Sequence, residues 1–370
     1  MRVSPLEPVP PALRRALRSA VVRWFRREKR SLPWRDDPSG YRVWVAEIMA
    51  QQTRLETVTP YFERFLERFP SVDSLAESPQ DMVLALWSGL GYYTRARNLH
   101  RAAQVIVERH GGRIPRDPKV LRTLPGIGPY TAGAIASIAY GIPAPILDGN
   151  VIRVLTRLFD IDRDVRRADA RKMLWELAAS LVPERNPRTF NEGLMELGAL
   201  VCTPRAPDCP RCPVKRHCAA LQRGTVLDRP VKGRGTPPVD VRLYAAVIRR
   251  VDGAVLLVQN EYAGLFGGLW QVPLHPAGGA RSASGGKAAL KRAVKQATGL
   301  TVSVHRRIGR VTHTLSHRNL KVEVYPCEAR AERPLLSGYR AFRWIRGAGE
   351  LDGLGVAALT RKILGLADLP

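Results

Sequence analysis

Residues Leu121–Tyr140 read LRTLPGIGPYTAGAIASIAY, and the fold turns on this stretch. The pattern predicts a short helix, a tight turn at Pro125-Gly126-Ile127-Gly128, and a second helix of small residues beginning near Thr131. Glycines at 126 and 128 let the backbone bend and expose its N–H groups. Together with the positive end of the following helix dipole, such a loop holds one phosphate without reading sequence. A bare GxG also serves turns between packed helices, so its meaning depends on its surroundings.

Outward from the hairpin, residues 10–221 read as one mainly α-helical domain. Apolar residues recur at helical spacing in Leu13–Phe25, Val43–Met49, Met82–Trp87 and Val151–Phe159, with Pro or Gly between them. Residues 222–242, rich in Pro, Gly and charge, read as a linker. Beyond it, residues 243–365 read as an α+β module. Strands are expected at Leu243–Arg249, Ala254–Gln259, Leu320–Tyr325 and Tyr339–Ile345, and helices at Ala288–Thr298 and Ala357–Leu364. A chain of 370 residues is long enough for two such cores.

Four of the five cysteines fall within residues 202–218, as Cys202-x6-Cys209-x2-Cys212-x5-Cys218. The chain opens on Met-Arg-Val-Ser-Pro rather than an apolar run, so no signal peptide and a cytoplasmic location are expected. Disulfides are disfavoured there, and metal ligation is the stronger reading of the cysteines. Zinc sites usually present two short Cys hooks, whereas this segment has one; an iron–sulfur cluster fits at least as well. Spacing alone leaves the metal open. No apolar run approaches the ~20 residues a membrane helix needs. The 59 Lys and Arg against 33 Asp and Glu leave a net charge of +26, spread over both halves. That surplus implies a polyanionic partner, although it does not separate DNA from RNA.

The hairpin in its LPGIG setting resembles the helix-hairpin-helix of DNA repair enzymes. With an aspartate about twenty residues later and the four-cysteine loop, the chain resembles the endonuclease III superfamily of DNA glycosylases. Several segments are similar to its MutY-type adenine glycosylase branch: Leu32-Pro33-Trp34-Arg35, Ala46–Thr53 (AEIMAQQT), Trp87–Tyr93 (WSGLGYY) and Leu147-Asp148-Gly149-Asn150. Ala50 departs from the leucine usual beside the base pocket. The resemblance implies one 4Fe–4S cluster on Cys202, Cys209, Cys212 and Cys218. It also implies double-stranded DNA with adenine opposite 8-oxoguanine or guanine as substrate, acted on by a monomer.

Glu47 sits among Val43, Trp44, Val45, Ile48 and Met49 on an expected helix. A carboxyl group in apolar surroundings stays protonated near neutrality and serves as an acid, although most helical Glu residues are solvated. The resemblance makes Glu47 the acid that protonates adenine N7. Asp148 reads as a helix N-cap, and by resemblance as the carboxylate that offsets positive charge at the anomeric carbon or bonds transiently to it. Bifunctional relatives carry a lysine at the position of Tyr130, and a tyrosine cannot form the imine that leads to strand cleavage. Monofunctional base excision is therefore expected. The resemblance further assigns Arg30, Trp34, Arg35, Asn150 and Glu192 to the adenine pocket. It assigns Gln52, Thr53, Tyr92, Gly126, Ile127 and Gly128 to DNA contact, with Gln52 and Tyr92 wedging into the duplex.

Residues 243–365 resemble a MutT-like, or Nudix, domain. Hydrolysis of nucleoside diphosphates there requires three glutamates, and the aligned stretch Arg292–Leu300 (RAVKQATGL) has Ala293, Gln296 and Ala297 instead. The module is expected to read the lesion rather than hydrolyse. Leu315, Ser316 and His317 correspond to the inspecting loop, with Leu315 in place of an aromatic. Two other readings remain open: a thymine or oxidised-pyrimidine mismatch glycosylase, and a non-enzymatic iron–sulfur DNA-binding protein.

Overall fold

The first helix, Pro11–Glu28, buries Leu17, Val21, Trp24 and Phe25, one stripe at helical spacing. That stripe packs on helix Pro187–Leu200, where a side chain at Gly193 would meet Val21 Cγ1 at 2.8 Å. These relations come from a computed structural model that describes residues 8–233, 237–277, 283–329 and 333–369. The chain forms two compact units, Met1–Ala76 with Arg101–Gly235, and Glu77–His100 with Thr236–Pro370.

The first unit is helical. Helix Gly40–Ala50 is buried along nearly its whole length, so Glu47 lies in the interior with Trp44, Val45 and Met49. Helix Gly149–Leu158 starts at Asp148, whose Oδ1 accepts the Val151 N–H at 2.7 Å. The hairpin forms as expected, except that its second helix starts earlier, at Pro129, with Gly128 as cap. Proline suits that first position because its missing N–H would have no helical partner. Gly126 takes φ +75°, which a side chain would strain, and the Ile127 N–H closes the turn on the Leu124 carbonyl at 3.2 Å. The helix Pro129–Ala134 passes into a π-helical turn, Ile135–Ala139.

Small residues allow this helix to approach the strand-like segment before Asp148. A Cβ on Gly133 would stand 2.1 Å from the Pro145 carbonyl oxygen, whereas one on Gly128 meets nothing within 4 Å. Gly133→Ala is expected to cost about 1–3 kcal/mol in urea unfolding through overpacking. Gly128→Ala should stay within about 0.5 kcal/mol of the parent.

The stretch read as a linker is not loose over its first part. Arg223 and Arg229 both pair with Asp160, at 2.7 and 2.9 Å, and Val165 N–H bonds to the Val231 carbonyl at 3.1 Å. Its charged composition, which suggested solvation, is satisfied by these partners. At its other end, a strand already begins at Val239.

The second unit holds strands β1 (Val239–Arg249), β2 (Val255–Asn260), β3 (Trp270–Gln271), β4 (Leu274–Pro276), β5 (Val302–Val304), β6 (Gly309–Leu315), β7 (Arg318–Ala329) and β8 (Tyr339–Ile345). They form one sheet with the path β3-β2-β1-β7-β5, and β1 and β7 run parallel from Val239↔Arg318 to Arg249↔Glu328. Leu243, Ala245 and Val247 face the core that includes Leu359 and Ile363 of helix Ala358–Leu366. Tyr244, Ala246 and Ile248 face Leu290 and Val294 of helix Ala283–Thr298. Burial on both faces explains the unbroken apolar run in β1.

Packing divides the chain differently from composition, because Glu77–His100 lies inside the 10–221 region. Gln259 Nε2 donates to Asp81 Oδ1 at 2.8 Å, Arg97 donates to the Gly267 carbonyl at 2.6 Å, and Gly355 leaves room for Leu84. A segment without Lys or Arg from Phe69 to Thr94 thus finds its cover partly in the β-rich unit.

Candidate active site

Glu47, Tyr130 and Asp148 line one cavity of about 780 Å³ in the helical unit. Three elements bring them there: the buried helix at 40–50, the first turn after the hairpin, and the cap of helix Gly149–Leu158. The Tyr130 hydroxyl donates to Glu47 Oε2 at 2.6 Å, so Tyr130 is more than hairpin packing. Burial pushes the Glu47 carboxyl up to about 7, the Tyr130 hydrogen bond pulls the other way, and Asp148 and Glu192 add to the rise. Burial also raises Asp148, against hydrogen bonds from Val151 and Asn150. Asp148 is both cap and cavity wall: Asn150 Nδ2 donates to its Oδ2 at 2.9 Å.

Arg30, Trp34, Arg35, Asn150 and Glu192 line the same cavity, as do Ala50, Gln52 and Thr53. Both arginines are paired with carboxylates, Arg35 with its side chain buried and Arg30 half-buried. Arg35 Nε meets Glu192 Oε1 at 3.2 Å, and both arginines bind Glu196, a residue that carries no expectation from the sequence. Arg188 closes the other side of Glu192 at 3.0 Å. The i, i+4 spacing of Arg188, Glu192 and Glu196 on helix Pro187–Leu200 was the available signal for this cluster. Trp34 is fixed edge-on against Phe62, with ring centroids 5.1 Å apart.

The residues read as DNA contacts fall in different places. Gln52 is exposed in the left-handed region, with φ 59°, just past the helix that carries Glu47. Tyr92 has φ 50° and is 47% exposed, so it is not a core residue. Its hydroxyl lies 2.9 Å from Ser316 Oγ within the second unit, joining two residues that the sequence assigned separately. Ser316 and His317 are exposed in the turn between β6 and β7, and Leu315 is half-buried at the end of β6. Ile127 is 5% exposed and its N–H is spent on the turn, whereas Gly126 and Gly128 on either side are exposed.

All four clustered cysteines line one small cavity, shared with Arg157, Val201 and Val226. No group of three or more His, Cys, Asp or Glu among the described residues is gathered for a single metal ion. The donor set is nonetheless all thiol and locally supported. Arg157, 2% exposed, places an N–H 3.4 Å from Cys202 Sγ and binds the Thr203 and Pro204 carbonyls. Arg153 links Asn150 Oδ1, at 2.8 Å, to the Cys202 carbonyl, at 2.7 Å, so the loop is tied to the site of Asp148.

On helix Ala283–Thr298, Gln296, one of the three positions at which the resemblance expects a glutamate, lines a cavity with Lys291, Arg292, Lys295 and Thr301. That lining has no carboxylate to hold a divalent cation.

Residues 45–180 match the family described as HhH-GPD superfamily base excision DNA repair protein, and residues 244–366 match the NUDIX domain. A Rattus norvegicus protein named adenine DNA glycosylase is 35% identical over 402 residues, which covers 94% of this chain and 77% of that one. The chain belongs to the adenine DNA glycosylase family. The Homo sapiens member is 34% identical, over 89% of this chain and 70% of its own length. Among solved structures, a thermostable thymine-DNA glycosylase matches with TM-score 0.53 and 30% identity, over 57% of this chain and 98% of that one. A trapped endonuclease III–DNA covalent intermediate matches with TM-score 0.50 and 22% identity, over 59% of this chain and 99% of that one, a likeness of fold. Membership makes this a DNA N-glycosylase of base excision repair, with a helix-hairpin-helix unit and a Nudix-like unit. It excludes the non-enzymatic reading. Among the described residues no helix is long and apolar enough to cross a membrane.

Proposed function

We propose that the protein hydrolyses the N-glycosidic bond of adenine opposite 8-oxoguanine or guanine in duplex DNA, as a monofunctional monomer. Residues 10–221 do the chemistry and residues 243–365 read the lesion. The observation that carries this is the buried Glu47 carboxyl, hydrogen-bonded by Tyr130 and sharing a cavity with Asp148.

A base inside the duplex stack is out of reach, so the adenosine is turned out into the cavity between Trp34, Arg30, Arg35, Asn150 and Glu192. Gln52 enters the gap left by the base; Tyr92 stacks its exposed ring on a base of the duplex, a contact worth ~1–3 kcal/mol. Tyr130 occupies Glu47 Oε2, which leaves Oε1 to carry the acid proton. That proton passes to adenine N7, the C1′–N9 bond breaks, and its electron pair leaves with the base. Ionised Asp148 offsets the positive charge on the sugar. Water then adds at C1′ and returns its proton to Glu47. No lysine amine stands at position 130 to attack the sugar.

One 4Fe–4S cluster fits Cys202, Cys209, Cys212 and Cys218, whose thiols share one cavity. Bound there, it supplies a rigid scaffold for the basic loop that includes Arg205, Arg211, Lys215 and Arg216. In the second unit, Ser316 and His317 keep their hydrogen-bonding groups exposed for an oxidised guanine. The protein works on chromosomal DNA in the cytoplasm.

Single-turnover assays on duplexes carrying A, T or C opposite 8-oxoguanine or guanine test the substrate. We expect adenine release opposite 8-oxoguanine, with intact abasic strands and no borohydride-trapped protein. Release of thymine in preference to adenine would overturn the assignment, and efficient trapping with strand scission would overturn its monofunctional part.

A further inference from the structure

Glu196 takes no part in the steps above, yet its carboxylate is engaged on every side. Oε1 accepts the Arg30 backbone N–H at 2.9 Å, Arg30 Nε at 3.0 Å and Arg35 Nη1 at 3.1 Å. Oε2 accepts Nη2 of Arg30 at 2.9 Å and Nη2 of Arg35 at 3.0 Å. The side chains of Glu196 and Arg35 are 2% and 8% exposed. Burial alone would raise Glu196, but hydrogen bonds from Arg30 and Arg35 hold its carboxyl down at about 2, so it stays ionised throughout the neutral range.

Stability does not require such a cluster. A buried ion pair gains little over packed apolar residues, whereas losing one partner strands the other charge. Its position suggests what it does instead. Besides Tyr130 from the hairpin helix, the charged groups that line the cavity with Glu47 are Asp148 and Arg153 at helix Gly149–Leu158, Glu192 and Glu196 from helix Pro187–Leu200, Arg35 from the turn at 33–36, and Arg30, Arg54 and Glu56. Of the cations there, Arg35 is the one whose charge acts on Glu47, and two of its N–H groups point at Glu196. Three guanidinium groups, Arg30, Arg35 and Arg188, are thus opposed by two buried carboxylates, Glu192 and Glu196, with the exposed Glu56 3.8 Å from Arg30.

We propose that Glu196 is a positioning residue that neutralises and fixes Arg30 and Arg35, and thereby sets the pH range over which Glu47 works as an acid. Without it, Glu192 is the one buried carboxylate left to three guanidinium groups, and the excess positive charge beside Glu47 favours the ionised carboxylate, so the proton needed by the leaving base is lost at lower pH. The inference rests on Glu47 being the acid.

The test is the pH profile of single-turnover adenine excision by the full-length protein and by Glu196→Gln, from pH 5 to 9. We expect the alkaline limb to move down by roughly one pH unit, so that the variant is about tenfold slower at pH 8 and within about twofold of the parent below the limb. A limb that stays in place, whether or not the rate falls uniformly, overturns the proposal. Should Glu196→Gln fail to fold by circular dichroism, the double variant Arg35→Met/Glu196→Gln removes cation and anion together. Its limb should lie at or above the parent's, and a limb displaced downward overturns the proposal. Absence of any alkaline limb in the parent would instead remove Glu47 as the acid, a separate failure.

Discussion

Glu47→Gln should lower single-turnover adenine excision by about 1,000-fold or more while duplex binding stays within about threefold, because the amide fills the same space but has no proton to give. The same substitution should stabilise the protein. The carboxyl titrates at about 7 in the fold against an ordinary 4.5, so the folded state binds the proton more tightly than the unfolded chain. The resulting cost is absent below about pH 4.5, grows as pH rises to about 7, and is constant above. Glu47→Gln should therefore gain about 1–3 kcal/mol in urea unfolding at pH 8 and close to nothing at pH 4. A variant that loses activity and also loses stability at pH 8 would mean that Glu47 is a structural residue.

The second large effect is expected at Asp148, whose two duties separate by substitution. Asn keeps a side-chain oxygen for the Val151 N–H, now held at 2.7 Å, but carries no charge. Asp148→Asn should cost about 100- to 1,000-fold in excision with less than about 1 kcal/mol in stability. Asp148→Ala should lose the cap as well, about 1 kcal/mol more. Equal activity in Asn and Asp forms would leave Asp148 a cap and nothing else. Because Asp148 must be ionised, activity should also fall on the acid side, at a pH above that of an ordinary aspartate, since burial raises this group.

Much of this was legible in the chain because local patterns carry it. The hairpin is encoded by two glycines and a proline at fixed offsets, and the buried position of Glu47 by its apolar neighbours on one helix. Strand β8 falls where alternation placed it, at Tyr339–Ile345, whereas β6 was hidden because Arg310, Thr312 and Thr314 are exposed and its other face is only half-buried. Partnerships between distant segments were not legible. Glu196 meets Arg30 across more than one hundred residues, and Asp160 holds Arg223 and Arg229, which makes a charged stretch pack where composition suggested a tether. Tyr92 and Ser316 each carried a local motif, but only the fold brings their hydroxyls together. Charge on a surface and charge in a pair look alike in one dimension, and that ambiguity accounts for what was missed.

A neutral carboxyl at position 47 is the claim on which the rest depends. Its most direct test is the pH dependence of adenine excision by the parent protein at subsaturating concentration, where the profile reports the free enzyme. The rate should fall tenfold per pH unit once pH exceeds about 7, the value to which burial lifts Glu47. A rate that holds constant from pH 6 to pH 9 would contradict the account.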